Sequence, residues 1–284
     1  MLQKFYKYHG AGNDFLLADN REGFLSLSQS QIRHLCDRHT GFGADGVMML
    51  ERSERKDFRM VFFNPDGSGG MMCGNGGRCI VAFAADLGVV SGNFPIEFEA
   101  PDGLHTAVIL NQAKGSRSSA GTKGPVIRLK MGDVSGITEF KDEDAFFLET
   151  GARHLVKFVT GLEDYPVRER GKSLRHDPRF APEGVNVDFV EVVRQANQPL
   201  LRIRTFEKGV EDETLACGTG IVASAIASCF KGIPFVKAED GRASVDVKAA
   251  ISTLSVDFVP QDRGAGDVWL TGPAVFTGTV ECFL

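Results

Sequence analysis

Two cysteines, Cys73 and Cys217, each open the same kind of segment. CGNGGRCIVAFAADLG runs from Cys73 to Gly88 and CGTGIVASAIASCFKG from Cys217 to Gly232, both sixteen residues long. Each begins Cys-Gly-polar-Gly, continues through an Ala-rich apolar run, and closes on a glycine suited to a helix carboxyl-terminal cap. The pattern predicts a loop feeding a buried helix, with the cysteine at the helix amino terminus. There the free N–H groups and the helix dipole favour a thiolate, which makes the cysteine a base. The same N–H groups can hold a carboxylate, and Gly74-Asn75-Gly76 and Gly218-Thr219-Gly220 let the backbone approach closely. Two such devices suit inversion of a stereocentre beside a carboxylate. One thiolate takes a proton from one face, and the opposite thiol returns another as the helix ends hold the developing charge. A single Cys-Gly before an apolar helix is more often packing than chemistry; the matched position in two segments carries the catalytic reading. Cys79 and Cys229 fall inside the predicted helices, and Cys36 and Cys282 lie in amphipathic surroundings, so all four are expected to be structural.

The flanking elements repeat as well. Ahead of each helix lies a strand-like run ending in a polar residue, FRMVFFN (Phe58 to Asn64) and LRIRTFE (Leu201 to Glu207), followed by a polar loop. Further upstream GNDFLLAD (Gly12 to Asp19) matches GARHLVKF (Gly151 to Phe158), each a glycine turn entering a strand. PIEFEA and HTAVIL follow the first helix, ASVDVKA and STLSVDF the second. The chain is therefore expected to form two similar domains of strands and helices, 1–145 carrying Cys73 and 146–284 carrying Cys217. The last strand, VFTGTVECF, is expected to cross back to the first domain. Gln112 to Gly124, polar and glycine-rich, reads as an exposed hairpin loop. The weak carbon acid also calls for a dry site that closes on its substrate.

With 32 basic and 37 acidic side chains among 284 residues, the net charge is −5, and no Lys/Arg run marks a nucleic-acid partner. The amino terminus lacks the apolar core of a signal peptide, and no stretch reaches the ~20 apolar residues of a membrane span, so a cytoplasmic location without a membrane partner is expected. The six cysteines show no CxxC pair and no zinc-ligand spacing. Neither a disulfide framework, a metal nor another cofactor is expected, and the thiols should stay free in a reducing cytosol.

HGAGNDF (His9 to Phe15), RHTGFGADG (Arg38 to Gly46), FFNPDGS (Phe62 to Ser68), MCGNGGRC (Met72 to Cys79), GVNVDF (Gly184 to Phe189) and ETLACGTG (Glu213 to Gly220) together resemble the diaminopimelate epimerase family, nearly end to end. That family interconverts LL- and meso-2,6-diaminopimelate without a cofactor, on the route to lysine and peptidoglycan precursors. The resemblance implies an α+β fold of two similar domains, each a barrel-like, mostly antiparallel sheet wrapped around a central helix, related by pseudo-twofold symmetry. It implies an active site between the domains and a homodimer. It makes Cys73 and Cys217 the acid/base pair, with Gly74-Asn75 and Gly218-Thr219 gripping the carboxylate at the reacting centre. Asn13, Asn64, Asn186 and Glu207 match substrate-binding positions, and His154 and Glu207 match groups that tune the thiols.

Three positions depart from the family pattern. Gly151-Ala152-Arg153-His154 stands where many members have Gly-Asn-Pro-His, Lys208 replaces an arginine that grips the distal carboxylate, and Gly46 replaces a glutamine found in some members. Lysine keeps the charge of arginine but not its bidentate fork. All three touch the distal end of the substrate, so the competing reading keeps the two thiols and changes the substrate to histidine or a proline derivative. A non-catalytic binding relative, or an isomerase with a carboxylate base, is disfavoured by the retained cysteine pair. A redox pair would need the two Cα atoms within ~7 Å on closure.

Overall fold

In the computed structural model of the protein, residues 2–92, 94–111, 124–193, 199–233 and 240–284 are described. The loop expected between Gln112 and Gly124 lies, but for Gly124, outside them. The chain divides into two compact units, Met1–Leu129 with Gly272–Leu284, and Lys130–Thr271.

In the first unit the order is β1 (Leu2–Gly10), β2 (Asn13–Asp19), α1 (Gln29–Cys36), β3 (Val47–Glu51), β4 (Phe58–Phe63), α2 (Gly74–Asp86), β5 (Ile96–Ala100), β6 (Gly103–Asn111) and β7 (Val126–Lys130). The second contains β8 (Val134–Ser135), β9 (Ile137–Phe140), β10 (Ala145–Glu149), β11 (Arg153–Phe158), α3 (Val167–Arg175), β12 (Asn186–Val193), β13 (Leu200–Glu207), β14 (Asp212–Thr214), α4 (Gly218–Phe230), β15 (Ala243–Lys248), β16 (Thr253–Gln261) and β17 (Gly264–Pro273). A last strand, β18 (Val275–Phe283), returns to the first unit and pairs antiparallel with β1, from Leu2 opposite Phe283 to His9 opposite Val275.

The duplication extends to strand pairing. β2 runs parallel to β3 as β11 does to β12, and β4 parallel to β5 as β13 does to β15. β1–β2, β3–β4 and β5–β6 are antiparallel, as are β10–β11, β12–β13 and β15–β16. The strands of each unit surround its long helix. α2 packs on β1, β2, β3 and β6, and α4 on β10, β11, β12, β13, β15 and β16. Every residue from Gly74 to Ala84 is buried, and so is every residue from Gly220 to Ser228. A helix apolar all round can satisfy itself only inside a sheet, which explains the lack of a polar face in both sixteen-residue segments. Both helices stop where expected, at Gly88 (φ +71°) and Gly232 (φ +82°), in the left-handed conformation that glycine adopts without a Cβ penalty.

Residues 130–145, assigned by sequence to the first domain, belong to the second unit. β8 pairs with β17 and β9 with β10, and Phe140 packs on the apolar cluster of Leu155, Phe180, Val187 and Phe189. Two short helices lie outside the duplicated pattern. α1 begins in a capping box between Ser28 and Gln31 and buries Ile32, Leu35 and Cys36. α3 buries only Val167 and Gly171. A Cβ on Gly171 would stand 2.3 Å from the Cβ of Phe206, so glycine allows the helix to lie against β13. Both are short, of eight and nine residues, so their helical period spans little more than two turns.

Candidate active site

In the first unit Cys73 is the residue before α2, in extended conformation (φ −115°, ψ 154°), and its Sγ accepts the N–H of Gly76 at 3.2 Å. The turn at Ala11 (φ +56°) and Gly12 (φ +99°) carries Asn13 to the same place. The Sγ–H of Cys73 reaches Asn13 Oδ1 at 3.9 Å, and Asn75 Nδ2 donates to that oxygen at 3.3 Å. Both amides are oriented from outside. Asn13 Nδ2 donates to Asp45 Oδ2 at 2.7 Å, and Asn75 Oδ1 accepts from Arg78 Nη2 at 2.8 Å. A carboxylate only accepts and a guanidinium only donates, so Asn13 must present its carbonyl oxygen to the thiol. Asp45 is held in turn by the N–H of Asp14 at 3.1 Å and by Arg38 at 2.7 Å. Arg78 is fully buried, spends Nη1 on the carbonyl of Gly74 at 3.0 Å, and has its guanidinium lowered to about 10 by burial.

In the second unit Cys217 occupies the equivalent position before α4 (φ −108°, ψ 112°). Its Sγ lies 3.4 Å from Thr219 Oγ1, and the backbone N–H of Gly220 acts on it more weakly than the hydroxyl does. Thr219 Oγ1 is 2.9 Å from His154 Nε2, and His154 Nδ1 is 2.7 Å from Asp188 Oδ2. Asp188 Oδ1 accepts the hydroxyl of Thr205 at 2.7 Å. His154 and Asp188 are both 0% exposed. A Cβ on Gly220 would stand 2.3 Å from Asp188 Oδ1, so glycine is what admits the carboxylate beneath the helix end.

The helix end alone predicts a lowered pKa for this thiol, and the structure reverses that. Burial pushes the Cys217 pKa well above the ordinary thiol range, and the charges of Glu207 and Asp188 push it further, against the Thr219 hydroxyl. Taking a thiolate out of water outweighs what the helix dipole returns. Glu207, at the end of β13, accepts the hydroxyl of Thr214 at 2.8 Å.

The remaining expected residues fall as follows. Asn186 is buried between β11 and β13: its Nδ2 donates to the carbonyl of Arg153 at 3.1 Å, and its Oδ1 accepts the N–H of Lys208 at 2.8 Å. Asn64 closes its own turn, donating to Ser68 Oγ at 3.1 Å and to the carbonyl of Gly69 at 3.3 Å. Ala152 follows Gly151 (φ +92°), and its carbonyl accepts the N–H of Thr150 at 3.0 Å. Asp45, Arg78, Asp188 and Thr205 received no role from the sequence. Asp188 was detectable in principle: a charged residue in the apolar run VNVDFV sits in a core strand only when paired.

Burial raises the Cys36 thiol to about 11 and the Cys79 thiol further. At pH 8 a thiol of pKa about 11 is roughly a thousandth ionised. Iodoacetamide at that pH is therefore expected to leave Cys36 and Cys79 unmodified in the folded protein and to label both after denaturation, as read by peptide mass spectrometry.

The sequence pattern of the diaminopimelate epimerase family matches residues 5–125 and 146–275. A diaminopimelate epimerase of Chlorobaculum tepidum is 39% identical over 95% of this chain and 98% of its own length. One from Flavobacterium psychrophilum is 38% identical over 96% and 97%. Among solved structures, a phenazine biosynthesis protein of the PhzF family from Bacillus anthracis covers 100% of both chains with a TM-score of 0.74 at 15% identity. That likeness concerns the fold alone. With the family pattern running through both halves and through both helix-capping cysteines, the chain belongs to the diaminopimelate epimerase family.

Proposed function

We propose that the chain interconverts LL- and meso-2,6-diaminopimelate as a cofactor-independent isomerase, one thiol taking the α-proton and the other returning a proton to the opposite face. The observation that carries this reading is the placement of Cys73 and Cys217 as the capping residues of two equivalent buried helices. The first N–H groups of a helix lack intrahelical partners, so those of Gly74-Asn75 and Gly218-Thr219 receive the carboxylate beside the reacting carbon. As the C–H bond breaks, its electron pair delocalises into that carboxylate, whose extra charge the helix ends stabilise. Asn13, Asn64, Asn186, Glu207 and Lys208 bind the rest of the substrate, Lys208 as a point charge toward the distal carboxylate. His154 and Glu207 set the protonation of Cys217. A cytoplasmic homodimer is the form implied by the family resemblance.

Incubating the protein with LL-diaminopimelate in deuterated water tests reaction and substrate together. Meso isomer is expected to appear with one deuterium at the inverted carbon, without added pyridoxal phosphate. Ala152 and Lys208 keep a second substrate in view, so histidine and proline are run alongside. Faster turnover of either would move the assignment to that amino acid.

A further inference from the structure

We propose that Asp188 is a positioning residue for Cys217: it holds His154 so that a proton passes between the Cys217 thiol and the imidazole through the hydroxyl of Thr219. This rests on Cys217 acting as one of the two acid/base thiols. An ionised Asp188 only accepts hydrogen bonds, so the contact of 2.7 Å places a hydrogen on His154 Nδ1 and a lone pair on Nε2. The Thr219 hydroxyl then donates to Nε2 at 2.9 Å, which leaves its oxygen to accept the S–H of Cys217 at 3.4 Å. Every bond in the chain thus points one way. In the transfer the S–H bond breaks as a new O–H bond forms on Thr219, while the original Thr219 O–H breaks as N–H forms on Nε2. One proton leaves sulfur and one arrives on the ring. The products are a thiolate and an imidazolium, the latter held against Asp188.

The first unit places different side chains at the matching positions. Leu16 pairs with Val47 as Leu155 pairs with Val187, so Phe15 stands where His154 does, Met48 where Asp188 does, and Asn75 where Thr219 does. A Cβ on Gly76 would meet Met48 Sδ at 3.4 Å and Phe15 at 3.7 Å, where the one on Gly220 meets Asp188. Phe15 and Met48 carry no exchangeable proton. The relay therefore addresses Cys217, the thiol that faces the carboxylates of Glu207 on β13 and Asp188 on β12 with His154 on β11 as the group able to become cationic. Thr205 anchors the far oxygen of Asp188, which keeps the carboxylate from turning away from the ring.

The test is the rate of alkylation of the substrate-free enzyme by iodoacetamide followed from pH 8 to pH 10, where a thiol raised by burial becomes measurably ionised, each cysteine tracked separately by mass spectrometry. Asp188→Asn preserves shape but does two opposite things: it removes a charge that raises the Cys217 thiol, one ranking below burial and Glu207, and it removes the carboxylate that lies 2.7 Å from the ring and holds the imidazolium. The relay requires the second effect to win, so labelling of Cys217 is expected to slow about tenfold, the change in thiolate fraction that one pKa unit represents, with Cys73 unaffected, and faster labelling would overturn the relay. The acidic limb of kcat against pH is expected to move to higher pH, with KM nearly unchanged. Thr219→Val is expected to slow labelling of Cys217 to the same degree, and Thr219→Ser to restore it. Unchanged Cys217 labelling in a folded Asp188→Asn enzyme, or equal slowing at both thiols, would overturn the relay. Should Asp188→Asn fail to fold, the comparison of Thr219→Val with Thr219→Ser decides alone. None of these labelling rates depends on the substrate. Loss of the two-thiol reading would show instead as full epimerase activity in Cys217→Ala.

Discussion

Alanine in place of either Cys73 or Cys217 is expected to lower kcat for epimerisation by about 10³-fold while the protein stays folded, since positioned acid/base groups each contribute ~10²–10⁴ in rate. Folding survives for local reasons. At position 73 the change removes one cap to the N–H of Gly76, a loss of ~1 kcal/mol at a typical helix start. At position 217 the interaction with the N–H of Gly220 is the smallest of those on the thiol, so alanine removes little more than one sulfur from a site 8% exposed. The two variants should also separate exchange from inversion. A surviving thiol can still remove a proton from the face it addresses, but nothing opposite returns one. Deuterium is thus expected to enter without stereochemical change, and from one isomer only in each variant. Proton NMR of the α-hydrogen together with chiral chromatography checks both statements. Inversion at the parent rate in either variant would exclude a two-thiol mechanism.

The paired glycines Gly76 and Gly220 occupy the same place in the sequence repeat and are expected to answer differently to one methyl group. In Gly220→Ala the new Cβ meets Asp188 Oδ1 at 2.3 Å, its Cγ at 3.0 Å and Oδ2 at 3.3 Å. Asp188 cannot retreat, because His154 and Thr205 hold its two oxygens and the whole group is buried. Overpacking of this kind costs ~1–3 kcal/mol, and here it also displaces a charged hydrogen-bonded pair, so the upper end of that range and a loss of activity of about 10²-fold are expected. Gly76→Ala meets softer neighbours: Cys73 Sγ at 3.3 Å, Met48 Sδ at 3.4 Å and Phe15 at 3.7 Å. Small side-chain shifts absorb it, and a stability change under ~1 kcal/mol is expected. Chemical denaturation of the two variants side by side makes the comparison. Equal destabilisation would mean that the carboxylate does not press against the end of α4.

Much of the fold was legible because its signals are local. The cap residues, the Ala-rich runs and the closing glycines lie within one sixteen-residue stretch, and the alternation in FRMVFF or ASVDVK shows which strand face is buried. The position of 130–145 was not legible. A two-residue strand such as β8 carries almost no pattern, and whether Phe140 packs on one unit or the other depends on surfaces far away in sequence. α1 and α3 were not legible because helices of eight and nine residues are too short to be stable by themselves and depend on docking against the sheet, although Ile32, Leu35 and Cys36 do follow the helical period.

For the site, the sequence by itself determined that two thiols stand at two equivalent helix ends, each followed by glycines that admit a substrate backbone-close. Only the tertiary structure decided that the two ends differ. Around Cys73 it gathered Asn13, Asn75 and Arg78; around Cys217 it gathered Thr219, His154 and Asp188, with Glu207 acting on the thiol from β13. Capping is a matter of neighbours in the chain, whereas the charge state of a buried thiol follows from distance and dielectric. The groups that set it for Cys217 come from β11, β12 and β13, His154 lying 63, Asp188 29 and Glu207 10 residues earlier in the chain, brought beneath the helix by pairing register.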